Sequence, residues 1–223
     1  MPYDNFINDK RVIVVGPATT LQNTKSKSFI DSFDVVVKTN GMWNIAPEYI
    51  EDYGDRCDIV YFNIQYIRDV AINPIALKSR GIKYVCLKWY DGNLETLNKV
   101  IPFRIIPNKI DFPFKKSPLM GSLLLNDLLS FSPKSIHLTG MDFYTNSEPY
   151  IQAYQLPIVN ELIKKTWAPY LIKIQNDEPA ASAVHHINDD FLYVYRQYTT
   201  TKIITVDDHL LALFNNYDKQ KNG

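Results

Sequence analysis

Short runs of β-branched and apolar residues recur along the chain, at Val12–Val15, Val35–Val37, Ile59–Phe62, Tyr84–Leu87, Ile136–Thr139 and Ile203–Val206. Each is about the length of a strand buried on both faces. Helical spacing fills several intervals: residues 64–77, Leu119–Phe131 with Leu123, Leu124, Leu128 and Leu129 on its apolar side, Phe191–Tyr198 and His209–Phe214. Alternating strand and helix predicts an α/β, Rossmann-like single domain with a mostly parallel central sheet flanked by helices. The chain has 223 residues, 46% hydrophobic and 22% charged, enough to bury one large core. The Pro- and Lys-rich stretch Ile101–Pro118 and the Tyr-rich stretch Gly140–Gln155 read as loops, and the final DKQKNG as a frayed end.

Composition removes several function classes. Lys plus Arg and Asp plus Glu are both 24, so no basic excess points to nucleic acid. Cys57 and Cys86 build no disulfide framework, and the four histidines show no metal-ligand spacing. No run approaches the roughly 20 apolar residues that span a bilayer, and the polar N-terminus is unlike a signal peptide. A soluble, cytoplasmic protein with no transmembrane segment is expected.

Ligands of open α/β sheets sit beyond the carboxyl ends of the strands. The residues there are Gly16-Pro17-Ala18, Lys38-Thr39-Asn40-Gly41, Asn63 and Gly140-Met141-Asp142. Glycine admits close approach of backbone to a ligand, and an Asn amide both donates and accepts. The same residue types also favour plain turns. The chain carries neither GxGxxG nor GxxxxGK[ST], and no D-x-D, D-x-E or E-x-D pair to hold a metal on a diphosphate. Among the histidines, His137 reads as a sheet residue and His209 as part of a helix start. His185 and His186 precede Asn188, Asp189 and Asp190, with Asn188 or Asp189 as the cap of an aromatic helix.

Residues 12–40, VIVVGPATTLQN…SFIDSFDVVVKTN, resemble the large sialyl motif of animal-type sialyltransferases at Val14-Val15-Gly16, Leu21, Ile30-Asp31-Ser32, Asp34 and Asn40. Residues 117–146, SPLMGSLLLNDLLSFSPKSIHLTGMDFYTN, resemble the small sialyl motif, and more closely the bacterial oligosaccharide sialyltransferases. Tyr144 and Tyr150 keep the bacterial interval, and His185 with Asp190 matches an H-x4-D before a helix. Pro17 stands for an Asn, Lys38 for an Arg, and Leu119-Met120 for a Ser/Thr pair, and the animal enzymes' inter-motif disulfide has no counterpart.

The resemblance implies a GT-A-variant glycosyltransferase domain over residues 1–223, of bacterial or viral type. Its donor would be a CMP-sugar carrying sialic acid or Kdo, its acceptor a glycan hydroxyl, with no metal and no other cofactor. Gly16, Pro17, Ala18, Asn40, Asn63, Gly121, Ser122, Gly140 and Asp142 would seat the nucleotide. Tyr144 and Tyr150 would hydrogen-bond the leaving phosphate, His185 would act as base, with His186 its competitor, and Asp190 would orient the imidazole. The alternatives are a different nucleotide-sugar donor, or a non-catalytic sugar-nucleotide or glycan-binding module.

Overall fold

The computed structural model describes residues 2–63, 74–88, 95, 98–107, 110–143, 145 and 186–222. Each apolar run becomes a strand: β1 (Arg11–Val15), β2 (Val35–Thr39), β3 (Ile59–Phe62), β4 (Tyr84–Leu87), β6 (Ser135–Thr139) and β7 (Ile204–Val206), with β5 (Phe103–Ile105) added. They form one seven-stranded sheet in the order β5-β4-β3-β2-β1-β6-β7, every pair parallel. Parallel pairing puts all carboxyl ends on one edge, and helices must cross both faces to connect them.

The pleat divides the core. Val12, Val14, Val35, Val37, Tyr61 and Cys86 face α1 (Tyr3–Ile7), α5 (Met120–Leu129), α6 (Ile187–Thr200) and α7 (Asp208–Asn222) through Ile7, Leu124, Leu128, Val194 and Phe214. Ile13, Val15 and Val36 face α2 (Lys27–Asp31) and α3 (Ile50–Tyr53) through Ile30 and Tyr53. Val60, Phe62, Val85 and Leu87 pack on Leu77 of α4 (Pro74–Ser79). Burying each such aliphatic side chain contributes roughly 1.5–3 kcal/mol.

Several expectations change. β5 lies inside the stretch read as a loop, and the short helices α1, α2 and α3 carry no readable period. The tail expected to fray is helical to Asn222, with Lys219 and Lys221 in the last turn, where cations complement the helix dipole. α6 starts at Ile187, so Asn188, Asp189 and Asp190 lie inside it and His186 occupies the cap position. The helix expected over 64–77 is described only from Pro74, and most of the loop expected after Gly140 lies outside the described residues. Among the described residues no helix is long and apolar enough to cross a membrane.

Candidate active site at the carboxyl edge of the sheet

The chain leaves β1 toward β2 by way of α2 on one face. It enters β6 on the other side of β1 and leaves toward β7 by way of α6 on the opposite face. Strand order reverses between β1 and β6, and a crevice forms at such a point. Gly16 directly follows β1 and Gly140 directly follows β6. A Cβ on Gly16 would lie 2.2 Å from the Gly140 carbonyl oxygen, and one on Gly140 would lie 2.6 Å from that of Gly16. Gly140 also has φ +66°, in the region where side chains are strained. Two backbones therefore touch at the crevice where any other residue would hold them apart.

This contact is fixed by its surroundings. The Gly16 N–H donates to the Thr139 carbonyl at 2.8 Å, and the Ala18 N–H to the Gly140 carbonyl at 2.9 Å. The Ala18 carbonyl accepts the buried Tyr53 hydroxyl at 2.7 Å. Pro17 has no N–H, so the N–H groups of residues 16–18 are all committed or absent, and this loop meets a ligand with shape and carbonyls. Asp207, which the sequence suggests only as a helix start, accepts the Gly140 N–H and the Thr139 hydroxyl, each at 2.9 Å. Its other oxygen caps α7 through the Leu210 N–H at 2.9 Å.

Next along the edge, Asn40 directly follows β2 with φ +46°, a conformation Asn tolerates. Its Oδ1 accepts the Asn63 N–H at 3.0 Å. Gly121, in the first turn of α5, approaches from above: a Cβ there would meet the Met141 sulfur at 3.7 Å, and Met141 also lies against Gly16. Asp142 is buried, and its carbonyl accepts the Thr145 N–H at 3.0 Å. Gly16, Asn40, Asn63, Gly121, Gly140 and Asp142 thus belong to one rim. His137 sits apart, mid-strand in β6, its ring near Phe29 and Phe33 and its Nδ1 2.8 Å from the Thr205 hydroxyl.

Asp190 is fully buried. Its Oδ1 accepts the Leu119 N–H at 2.8 Å and the Ser122 hydroxyl at 2.5 Å, joining α6 to the start of α5. Ser122 therefore gives its proton to Asp190, where the motif resemblance had placed it on the nucleotide. Asp190 Oδ2 is buried without a hydrogen-bond partner among the described residues. Burial raises this carboxyl to about 6. Its neighbour Asp189 accepts the Lys115 N–H at 2.7 Å through Oδ2 and lies 2.9 Å from His186 Nδ1 through Oδ1. His186 thus lies close to a carboxylate of its own helix turn, although its Nδ1 makes no hydrogen bond among the described residues. Tyr144, Tyr150 and His185 lie outside the described residues. Among the described residues, no three His, Cys, Asp or Glu side chains converge in a metal site.

Two cations take their setting from the fold, and the first, read from sequence as lying beyond the end of β2, lies within that strand. Lys38 is fully buried beneath the rim, donates to the Gly54 carbonyl at 2.6 Å, and is lowered to about 8 by desolvation. Lys88, the first residue past β4, reaches the Ser117 hydroxyl at 2.7 Å and the Pro118 carbonyl at 3.4 Å. A tabulation of residues following strands would have found Lys88, but not its partners.

No protein-family model and no curated protein matches the chain. Solved structures do. A mammalian sialyltransferase matches with TM-score 0.51 and 15% identity, over 89% of this chain and 69% of that one. A mammalian sialyltransferase in complex with Gal-beta-1-3GalNAc-ortho-nitrophenol matches with TM-score 0.49 and 13% identity, over 92% and 71%. The sialyltransferase CstII from Campylobacter jejuni, in complex with the substrate analogue cytidine-5'-monophosphate, matches with TM-score 0.44 and 17% identity, over 71% and 76%. With its seven parallel strands and the glycine contact at the point where their order reverses, this chain has a sialyltransferase-like fold.

Proposed function

We propose that this chain is an inverting, metal-independent glycosyltransferase that moves sialic acid, or the related acid sugar Kdo, from a CMP-sugar to a glycan hydroxyl. The observation that carries the reading is the Gly16–Gly140 contact, at the one position where an α/β sheet of this order opens a ligand crevice. The motif resemblance supplies the donor class, and the shared fold supports it.

In this reading the nucleotide lies along the rim formed by Gly16, Asn40, Asn63, Gly121, Gly140 and Asp142. The loop 16–18 shapes its seat. Tyr144 and Tyr150 hydrogen-bond the phosphate as negative charge develops on it, the moment at which fixed donors lower a barrier. CMP leaves with less charge than a nucleoside diphosphate, so hydroxyl donors take the place of a divalent ion. His185, immediately before the α6 cap, accepts the acceptor hydroxyl's proton as its oxygen attacks the anomeric carbon. The C–O bond to phosphate breaks with its electron pair passing to CMP, and a single displacement inverts the centre. Asp190 anchors the start of α6 through Oδ1, leaving Oδ2 to orient the imidazole.

The test measures CMP release from CMP-sialic acid and CMP-Kdo with EDTA present, for wild type and His185→Ala. Turnover that survives EDTA and falls about 10²–10⁴-fold in the variant is expected. Undiminished turnover in His185→Ala removes the base. A thermal-shift series with CMP, UMP, UDP and GDP tests the donor, since a ligand at 100 times its Kd adds about 2.7 kcal/mol. A shift with UDP alone would replace the CMP-sugar by a UDP-sugar.

A further inference from the structure

A CMP-linked acid sugar presents two anionic groups, a phosphodiester and a carboxylate, and a site that binds it needs a matching cation. Lys88 is placed to be one. Its main-chain N–H donates to the Phe62 carbonyl at 3.1 Å, which sets it level with Asn63, the residue bonded to Asn40. Lys88, Asn63 and Asn40 thus form consecutive steps of the rim across β4, β3 and β2. From there the side chain crosses to the segment that leads into α5. Its ammonium donates to the Ser117 hydroxyl and, weakly, to the Pro118 carbonyl. An ammonium has three N–H groups, and no carboxylate of the described residues lies within ion-pairing distance of this one. The charge it faces is Asp190, at longer range and already bonded to the start of α5. A partly buried cation held only by neutral oxygens is costly, and an arriving oxyanion offsets that cost.

We propose that Lys88 is the specificity-determining cation of the donor site, pairing with an anionic oxygen of the bound nucleotide sugar. The inference rests on the proposed transferase reading. The other role its contacts allow is purely structural, tying residues 117–118 to β4.

The experiment compares wild type, Lys88→Met and Lys88→Arg for binding of cytidine, CMP, CMP-sialic acid and the carboxyl methyl ester of CMP-sialic acid, by titration calorimetry without acceptor. Lys88→Met should weaken CMP-sialic acid about tenfold, with cytidine unchanged and Lys88→Arg close to wild type. An equal loss on CMP assigns the phosphate as partner. A loss confined to CMP-sialic acid, with wild type also binding the ester more weakly, assigns the carboxylate. Equal weakening of cytidine and CMP-sialic acid, or no weakening, makes Lys88 a structural tie and overturns the proposal while the transferase reading stands. Failure of wild type to bind any of the four overturns both.

Discussion

The Asp207 carboxylate accepts the Gly140 N–H at 2.9 Å while its second oxygen accepts the Leu210 N–H at the same distance, so one side chain sets both the exit of β6 and the start of α7. Asp207→Ala should lower stability by about 1–3 kcal/mol in urea denaturation, through a lost cap and an unpaired Gly140 amide. Asp207→Asn, which keeps one acceptor oxygen, should lose less. Any CMP affinity should fall in the same order, because Gly140 moves with its amide.

Gly16→Ala and Gly140→Ala place a methyl against backbone rather than against a side chain that can turn away. Each should cost about 3 kcal/mol or more, read as a fall in thermal midpoint. Gly121→Ala meets only the flexible end of Met141 at 3.7 Å, and should stay within about 1 kcal/mol of wild type. Losses within about 1 kcal/mol for Gly16→Ala and Gly140→Ala as well would mean that β1 and β6 can separate without loss.

Asp190 predicts an acid-side pH dependence. Its folded carboxyl is raised by burial to about 6 from 3.8. Between those values the folded protein holds the proton that the unfolded chain releases. The stabilisation is full below about 4 and is lost as pH rises through 6, amounting to on the order of 2–3 kcal/mol. Asp190→Asn should lack that fall between pH 4 and 6, which should therefore stand out in the difference between the two stability curves.

Lys38 acts with the opposite sign on the alkaline side. Desolvation lowers its ammonium to about 8 from 10.5. Above 8 the folded state is neutral there while the unfolded chain stays charged, so stability rises toward pH 10.5 and is lost as pH falls through 8. The slope should not exceed about 1.4 kcal/mol per pH unit. Lys38→Met should flatten this rise, measured as urea midpoints at pH 7 and 9.

Strands buried on both faces were the most legible part of the sequence, since Ile59–Phe62 and Tyr84–Leu87 need no polar face and read as unbroken apolar runs. β5 did not show because it is three residues long and carries Arg104 at its centre. That guanidinium is held by Asp127 of α5, beside the Tyr61 hydroxyl, a partner invisible in the local sequence. The start of α6 was missed for a similar reason: Asn188 and Asp189 look like capping residues, yet both lie inside the helix, with the Asp189 carboxylate turned onto Lys115. At the rim, Gly16, Asn40, Asn63 and Gly140 follow from strand ends alone. Tyr53, Lys88 and Asp207 require knowing what lies opposite them.

The central strand β1 takes one partner, β2, from the next stretch of chain, and the other, β6, from more than a hundred residues later. Closing so long a loop is entropically slow, and it comes after the β1–β2–β3 unit is able to form. During synthesis the emerging chain would hold five of the seven strands with the far edge of β1 open, and the crevice would be created only when Ser135–Thr139 slides into place.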